Sequence, residues 1–359
     1  MLYKEDWQEV QKRLDAWWSG EIIDRVVIQV TAQRKGVTRT SNWDVWTLMQ
    51  NRDNPEIAIA EFEKFCQEIY FGGEAFPNFW INFGPGSMAA YIGAIPRFEK
   101  DTVWLETPTE WSKLQEVKFD HENIWWKMTK KCTVLSSEAG KGKWITGNTD
   151  LGGPTDIAAS LRGTQNLLFD LLENGEKVKQ LTGQITKLWY EYYQELYGIT
   201  KKNGMPGTSA WMGIWSPKRW YPVQCDFSAM ISPEMFAEFV APYLQEQCQY
   251  LDHTIYHWDG PGEIPHLDLL LDIPELNGIQ WTPGSGQPGV ESPKWFPLYK
   301  RIQQKGKLLV LLGVPPDKIE GLLNEISPEG VLIGTSVSSE DEAKELLKKA
   351  EKRSFYGDT

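Results

Sequence analysis

The chain has 359 residues, of which 41% are hydrophobic and 24% are charged, a composition typical of a globular protein with one large domain or two ordinary ones. The formal net charge of −12 argues against nucleic acid as a main partner and against an anionic membrane surface, because both are bound through basic residues. No apolar run approaches the roughly 20 residues that a bilayer-spanning helix needs, so we expect no membrane association.

Residues 1–24 are predicted to form a helical extension that caps the domain following it. Its apolar residues recur at helical spacing and share one face: Trp7, Val10, Leu14, Trp17 and Trp18. The segment has no basic region followed by an apolar stretch, which argues against a secretion signal. The four cysteines are far apart and form no Cys-x-x-Cys pair, so we expect reduced thiols and a cytoplasmic location.

Residues 25–359 alternate between strand-like and helix-like segments. The helix starts are well marked; Ser232-Pro233-Glu234, for example, supplies an N-cap, a proline at the first helical position and a first-turn acid. The strand candidates, in chain order, are residues 25–30, 80–86, 143–149, 221–226, 254–257, 278–281, 307–312 and 330–334. Eight strands alternating with helices predict an α/β protein with a single (β/α)8 TIM barrel over residues 25–359. An open doubly wound sheet is the alternative, but no Gly-x-Gly-x-x-Gly motif opens a helix after the first strand.

In such a barrel the chemistry lies at the carboxyl ends of the strands, and several polar side chains are predicted there. Four amides are expected to orient a polar substrate: Asn82, Asn148, Gln224 and Gln280. Among the 18 tryptophans, three are expected to flank that substrate: Trp211, Trp215 and Trp281. Arg34 and Arg39 lie in the loop after the first strand, where they could hold a substrate carboxylate.

His257 and Asp259 form the most informative pair in a chain with only four histidines. Residues two apart in a strand point to the same face, so both side chains converge at the end of the fifth strand. Three interpretations follow. The two could be a hydrogen-bonded pair that stiffens the loop, a catalytic pair in which Asp259 orients His257 for proton transfer, or ligands of zinc or another divalent metal with Asp226 as third donor. The other histidines are expected to be structural or solvated: His121, His253 and His266.

Four segments resemble the uroporphyrinogen decarboxylase superfamily. They are residues 80–86 (WINFGPG), 152–163 (GGPTDIAASLRG), 226–243 (DFSAMISPEMFAEFVAPY) and 256–261 (YHWDGP). The resemblance extends over most of residues 75–350 and implies a (β/α)8 barrel with its site in the mouth, in a superfamily whose members often form homodimers. Two activities are typical of it. One is cofactor-free decarboxylation of tetrapyrrole acetates, and the other is cobamide-dependent methyl transfer between small methylated compounds, corrinoid proteins and thiols.

The chain departs from both patterns. The decarboxylases carry Arg-Gln-Ala-Gly-Arg-Tyr in the loop after the first strand, whereas residues 32–36 read Ala-Gln-Arg-Lys-Gly. The methyltransferases bind zinc through His-x-Cys at the fifth strand and a later cysteine near the eighth. His257 matches that histidine, but Asp259 replaces the first cysteine, and residues 334–336 (Gly-Thr-Ser) lie near the second. A metal here is therefore expected to have nitrogen and oxygen ligands, which bind zinc less tightly than thiolates do.

The leading expectation is a corrinoid-dependent methyltransferase-like enzyme that acts on a small methylated substrate and meets the corrinoid only on a partner protein. One alternative is a cofactor-free decarboxylase or lyase of a small carboxylate, in which Arg34 or Arg39 holds the acid. The other is a non-catalytic ligand-binding barrel that has lost the zinc cysteines.

Overall fold

The computed structural model describes residues 1–105 and 107–351. Its strands are β1 (Val27–Gln33), β2 (Ile69–Gly73), β3 (Asn78–Trp80), β4 (Arg97–Phe98), β5 (Val103–Trp104), β6 (Ile145–Gly147), β7 (Trp220–Gln224), β8 (His253–Asp259), β9 (Gly278–Thr282), β10 (Leu308–Leu312) and β11 (Val331–Ser336). Its α-helices are α1 (Trp7–Trp18), α2 (Thr47–Gln50), α3 (Pro55–Glu68), α4 (Met88–Tyr91), α5 (Trp111–Leu114), α6 (Ile124–Ala139), α7 (Pro154–Arg162), α8 (Thr164–Glu173), α9 (Gly175–Lys202), α10 (Pro233–Phe239), α11 (Ala241–Tyr250), α12 (Leu267–Leu271), α13 (Phe296–Gln304), α14 (Ile319–Leu323) and α15 (Glu340–Glu351). Two 3-10 helices follow β7 and β8 and contribute to the site described below: Asp226–Met230 and Pro261–His266.

Seven strands form one hydrogen-bonded sheet in the order β2-β1-β11-β10-β9-β8-β7. All neighbours in this sheet are parallel except β2, which runs antiparallel to β1. β3 and β6 form a separate parallel pair, and β4 and β5 an antiparallel one. Each of the eight predicted strand segments overlaps one of the parallel strands: β1, β3, β6, β7, β8, β9, β10 and β11. The protein is therefore a mixed α/β protein built on a large, mostly parallel sheet.

The predicted closed (β/α)8 TIM barrel is not confirmed, because backbone hydrogen bonds among the described residues do not close the sheet. One edge of β1 is taken by antiparallel β2. In a closed barrel β7 would pair with β6, but a loop forms hydrogen bonds in its place. The Asn148 backbone N–H donates to the Ser209 carbonyl at 2.8 Å, and Asn78 Nδ2 donates to the Ala210 carbonyl at 2.8 Å. We call residues 208–216 the inserted loop, since it occupies the space between these two strands.

Strand β2 lies outside the predicted strands. It follows α3 directly, and a buried ion pair fixes its return beside β1. Arg25 donates from both terminal nitrogens to the Glu74 carboxylate at 2.7 Å each, and the Ile28 N–H donates to the same carboxylate at 3.0 Å. Gly73 has a φ of 58°, a left-handed conformation that glycine adopts without strain, and it allows the tight turn at this point.

Alternate residues of β8 enter two different cores. Ile255 belongs to a cluster that includes α1 and the inserted loop, whereas Tyr256 and Trp258 belong to the larger core with the surrounding helices. Because strand neighbours point to opposite sides, the odd-numbered residues of β8 share one face of the sheet. We call it the inner face.

A cluster of apolar side chains, the lower cluster, covers the inner face at the amino ends of the parallel strands. Helix α1 contributes the five residues predicted to share a face, and these are its five buried residues: Trp7, Val10, Leu14, Trp17 and Trp18. The inserted loop contributes Met212, Ile214 and Trp215. The indole N–H of Trp18 donates to the Trp215 carbonyl at 3.0 Å, which ties α1 to the inserted loop.

In the described part of the chain, no helix combines the length and the apolar character needed to cross a bilayer. All four cysteines belong to the described residues and are buried, free thiols: Cys66, Cys132, Cys225 and Cys248.

Candidate active site

Polar side chains replace the apolar ones on the inner face at the carboxyl ends of β7, β8 and β9. The strand register places Gln224, His257 and Gln280 side by side in one row. Asp259 lies two residues further along β8 and therefore on the same face. Strand pairing, rather than loop folding, thus sets the spacing of these side chains.

The structure brings Asp226, His257 and Asp259 together, and we call them the trio. Asp226 opens the 3-10 helix directly after β7. One possible ligand atom from each residue lies within 4.8 Å of the others, and Asp226 is the one most open to water. Desolvation by the surrounding protein raises the pKa of Asp226, His257 acts in the opposite direction, and the charge of Asp259 raises it further. One imidazole and two carboxylates at this spacing can hold a divalent cation or pass a proton.

Gln280 determines which nitrogen of His257 is free. Gln280 Nε2 donates to the Trp281 carbonyl at 3.1 Å and to Thr282 Oγ1 at 2.8 Å. A carbonyl oxygen can only accept, so the other end of the amide is the oxygen, and it faces His257 Nδ1 at 2.5 Å. Nδ1 therefore carries the hydrogen, and Nε2 keeps its lone pair for a metal or a proton. Gln280 was predicted as a substrate contact, and its amide is engaged by protein at both ends.

Of the three tryptophans predicted to flank a substrate, only Trp211 lies against the trio. Its ring, carried by the inserted loop, meets that of His257 edge-on, with centroids 4.9 Å apart and planes at 85°. Trp215 points into the lower cluster, where its ring centroid lies 5.5 Å from that of Trp7. Trp281 is fully buried between Trp258 and Trp295 in the larger core, at centroid distances of 4.5 and 5.0 Å.

The remaining predicted amides are all buried but differ in their hydrogen bonds. Asn82 holds two loops together, since its Nδ2 donates to the Val45 carbonyl at 2.6 Å and its Oδ1 accepts from the Gly84 N–H at 2.9 Å. Asn148 Nδ2 and Gln224 Oε1 have no hydrogen-bond partner among the described residues. A buried polar atom without a partner costs free energy, so these two atoms remain available to a ligand.

The predicted carboxylate-binding arginines are bonded away from the trio. Arg34 donates from Nη2 to the Ile69 carbonyl at 3.2 Å. Arg39 donates to the Trp43 carbonyl at 3.1 Å, and its guanidinium lies 5.8 Å from the centre of the Phe65 ring. Both are thus engaged in the region between β1 and α3.

Three further acids lie near the trio: Asp150, which directly follows the amides at the end of the third predicted strand, and Asp156 and Glu263, which were not predicted as site residues. Asp156 Oδ1 accepts from the N–H of Phe227, the residue after Asp226, at 2.8 Å. Glu263 Oε2 accepts from the Tyr256 hydroxyl at 3.0 Å. The second oxygen of each, Asp156 Oδ2 and Glu263 Oε1, is buried without a partner among the described residues. Each acid is therefore only half satisfied.

Burial and neighbouring carboxylates raise the pKa of all three acids. Burial, followed by the charge of Asp226, raises the pKa of Asp150 to about 6. The same two causes raise the pKa of Asp156, with a smaller contribution from Asp150. Burial, then Asp226 and Asp156, raises the pKa of Glu263 to about 9. In the described part of the chain, no lysine or arginine is among the leading causes of these three pKa shifts, which come from burial and from neighbouring carboxylates.

A signal for two of these acids does exist in the sequence. Asp156 lies in the first turn of α7 after Pro154, and Glu263 lies in the first turn of the 3-10 helix after β8. Both come several residues after a strand ends, so a search limited to the strand ends misses them. Acids in the first turn of the following helix face the same end of the sheet.

Comparison with known proteins gives a likeness in fold only. No family model matches the chain, and none of the curated proteins matches it in sequence. Among solved structures, a methyltransferase from Methanosarcina mazei matches with a TM-score of 0.58 at 15% sequence identity, over 96% of this chain and 98% of that one. The chain therefore has a methyltransferase-like fold.

Proposed function

We propose that the protein is a methyltransferase of the uroporphyrinogen decarboxylase superfamily that moves a methyl group from a small methylated substrate to a corrinoid protein. The likeness in fold to a methyltransferase over nearly the whole chain supports the enzyme class. The sequence segments given above support the superfamily. The observation that carries the proposal is the trio, whose ligand atoms lie within 4.8 Å of one another at the end of β8.

The donor atoms of the trio fit a divalent metal. His257 offers Nε2 because Gln280 engages Nδ1, and the two carboxylates supply oxygen ligands and negative charge. This set is harder than the thiolate-rich zinc sites that the superfamily implies. We infer that the trio holds a zinc-like divalent ion, which when bound would act as a Lewis acid on the atom that gives up the methyl group.

The residues around the trio would bind and orient the substrate. The edge-on ring of Trp211 covers one side of His257. Gln224 Oε1 can accept a hydrogen bond from the bound molecule, and Asn148 Nδ2 can donate one. Fixed groups of this kind favour reaction by holding the reacting atoms in position.

The decarboxylase alternative gains no support from the positions of its expected anchors. A small carboxylate needs a cation, and the terminal nitrogens of Arg34 and Arg39 donate to the carbonyls of Ile69 and Trp43. The acids around the trio would also repel it.

Metal binding tests the centre of the proposal. Wild-type protein, His257→Ala and His121→Ala would be stripped of metal and titrated with zinc. His121 is 69% exposed, with Nδ1 3.8 Å from Glu195 Oε1 and its ring centroid 4.4 Å from that of Phe119. Its contacts are remote from the trio, so its replacement is the matched control. We expect one zinc ion per chain in the wild type and the control, and an affinity about 100-fold lower or worse in His257→Ala. Equal zinc binding by all three proteins, or by none, would contradict the metal site.

Methyl transfer tests the reaction. The wild-type protein would be mixed with a reduced corrinoid protein encoded near its gene and with a panel of methylated amines, ethers and alcohols. We expect the absorbance of the corrinoid to change to that of its methylated form with at least one compound, and this change to be lost in His257→Ala but not in His121→Ala. A genomic neighbourhood without any corrinoid protein, together with no transfer to a free corrinoid, would contradict the proposal.

A further inference from the structure

The inserted loop is anchored to several strands through its backbone carbonyls. Besides the bonds near β6, its Gly213 carbonyl accepts from Gln29 Nε2 of β1 at 2.7 Å, and its Ile214 carbonyl accepts from the indole N–H of Trp220 of β7 at 2.8 Å. A loop that is hydrogen-bonded to three parts of the sheet keeps a defined conformation. The main chain that carries Trp211 is therefore fixed in place.

Trp80 faces the inserted loop from β3. Its neighbour Phe79 packs into a separate apolar cluster with residues of α3 and α6, whereas Asn78, two residues before Trp80, donates to the loop. Because strand residues alternate, Trp80 lies on the same face of β3 as Asn78. The register pairs Trp80 with Gly147, and a Cβ at Gly147 would lie 2.8 Å from Asn78 Oδ1 and 3.5 Å from the Ala210 carbonyl oxygen. The loop thus lies directly against β3 and β6, beside Trp80.

Three hydrogen-bond donors around β6 and the inserted loop are buried without a partner among the described residues. They are Trp80 Nε1, Asn148 Nδ2 and Trp211 Nε1, and we call them the donor cluster. Trp211 also meets His257, so the donor cluster adjoins the trio. An indole N–H can only donate, and a buried donor without an acceptor costs free energy. The donor cluster therefore indicates a ligand that supplies oxygen acceptors.

The surroundings of the donor cluster favour an uncharged acceptor. Its three donors are neutral groups, and the trio places two carboxylates nearby, which would repel an anionic oxygen. Two oxygens in the neighbourhood also lack a partner among the described residues: Asn78 Oδ1, against Gly147, and Gln224 Oε1, in the row with His257. These two can accept from a hydroxyl or amide of the same ligand or from water, but they form no hydrogen bond with the donor cluster.

We propose that the donor cluster binds an uncharged oxygen of the substrate, a carbonyl or ether oxygen, and that Trp80 and Trp211 determine specificity for it. Trp80 was not predicted as a site residue. The assignment of this oxygen to the methyl donor rests on the proposed function, whereas its binding does not.

Three probes with one ring separate the acceptor from shape and charge. Cyclohexanone carries a neutral oxygen acceptor, methylenecyclohexane has the same shape without an acceptor, and cyclohexanecarboxylate carries an anionic one. Their binding to the full chain, stripped of metal, would be measured by nuclear magnetic resonance titration. We expect cyclohexanone to bind about tenfold or more tightly than the carboxylate, because the trio repels the anion.

The indole N–H signals identify the residues that the oxygen contacts. In protein labelled with nitrogen-15 in its tryptophan indoles, the signals of Trp80 and Trp211 are assigned by their absence from Trp80→Phe and Trp211→Phe. We expect cyclohexanone to move both signals downfield, as a new hydrogen bond does, and methylenecyclohexane to cause no such shift. The signal of Trp104, a residue 52% exposed, is the internal control and should not move.

Three variants assign the preference for an oxygen to the donor cluster. Trp80→Phe and Trp211→Phe remove an N–H and keep a ring, and Asn148→Leu removes a donor at similar volume. Each is expected to weaken cyclohexanone about five- to tenfold more than it weakens methylenecyclohexane, the effect of one lost hydrogen bond. The matched control Trp104→Phe should change neither affinity. Circular dichroism and thermal melts identify any variant that fails to fold, and the signals of the wild-type protein test the proposal without any variant.

The outcomes separate this inference from the proposed function. Cyclohexanone that does not bind, that leaves both indole signals in place, or that binds the folded variants as tightly as the wild type would overturn the inference and leave water as the partner of these donors. Equal binding of the carboxylate would overturn the uncharged class. A protein that binds zinc and transfers methyl groups without any response to cyclohexanone overturns the inference alone. A protein that responds to cyclohexanone but binds no zinc and transfers no methyl group keeps the inference and overturns the proposed function.

Discussion

His253 and His257 lie four residues apart on the same face of β8 and have opposite surroundings. His253, at the start of the strand, stacks on Trp18 with ring centroids 4.3 Å apart, and its Nδ1 lies 3.0 Å from Ser216 Oγ. His257, near the end of the strand, is held at Nδ1 by Gln280, and its Nε2 makes no hydrogen bond within the described part of the chain. The same residue type is part of the packing at one end of the strand and available to a ligand at the other.

The contrast extends beyond the two rings. At the amino end, indole donors meet carbonyl acceptors, as in the bonds from Trp17 to Gly330 and from Trp18 to Trp215. Trp215 is an exception, because its own indole nitrogen has no partner among the described residues. At the carboxyl end, acids gather without cations. The amino end of the inner face therefore stabilises the fold, whereas the carboxyl end holds polar groups without partners, which lowers stability but leaves them free to bind a ligand.

Removing Trp18 should produce the largest effect on this contrast. Trp18 is 6% exposed and is the stacking partner of His253, so Trp18→Ala leaves a cavity. We expect a loss of about 3–5 kcal/mol in the free energy of unfolding, measured by urea denaturation and circular dichroism. The control Trp104→Ala, at a position 52% exposed, should lose less than about 1 kcal/mol. Similar losses in the two variants would show that the amino end is no better packed than the surface.

The second largest effect is expected in the pH dependence of stability, which reports on the buried His253. Burial is the main cause that lowers the pKa of His253 to about 4, with a smaller contribution from Lys218. An unfolded histidine titrates near 6.5, so the unfolded chain binds more protons as the pH falls from that value to about 4. The stability contributed by neutral His253 is therefore complete above about pH 6.5 and is lost as the pH falls towards 4.

His253→Phe keeps the stacking on Trp18 and removes this titration. We expect the variant to be less stable than the wild type at neutral pH, because Ser216 Oγ loses its hydrogen bond to the imidazole and keeps only the one from the Lys218 N–H. The difference in free energy of unfolding between variant and wild type should change by about 2–3 kcal/mol in favour of the variant as the pH falls from about 6.5 to about 4. Urea unfolding across that range measures it, and a difference that stays constant with pH would contradict the assignment.

Removing the Nδ1 partner of each histidine should give the smallest and most selective effects. Gln280→Leu frees the ring of His257, and we expect zinc affinity and methyl transfer to fall about 10- to 100-fold with little change in unfolding. Ser216→Ala removes the partner of His253, and we expect a loss of about 1–2 kcal/mol in stability with zinc affinity unchanged. If both variants lost zinc affinity and stability to the same extent, the two histidines would not have the different roles described here.

The positions of the strands were predictable because parallel strands are short apolar runs bounded by turns. Whether the sheet closes into a barrel was not predictable, because two local features determine the closure. Strand β2 follows α3 without a turn signal, and the inserted loop takes up hydrogen bonds beside β6 through its own carbonyls. Neither feature has a period that sequence alone reveals.

Within the site, the alternation of strand residues predicted that His257 and Asp259 share a face. The same rule forbids Gln280 and Trp281, which are neighbours, from both facing the trio, and the structure buries Trp281 on the far side. Trp211 and Trp215 could not be separated in this way, since an irregular loop has no alternation. Asp156 and Glu263 escaped prediction because they come from the turns after the strands.

The inserted loop has a consequence for how this protein could change over evolution. It places Trp211 against His257 and Trp215 in the lower cluster, so the base of the site is formed by a loop rather than by a strand. Loops accept substitutions and changes in length more readily than paired strands do. A lineage could therefore enlarge or reshape the room beneath His257 by altering residues 208–216 and leave the row of Gln224, His257 and Gln280 intact. Exchanging this loop is accordingly the first change to try when engineering the site to bind a different ligand.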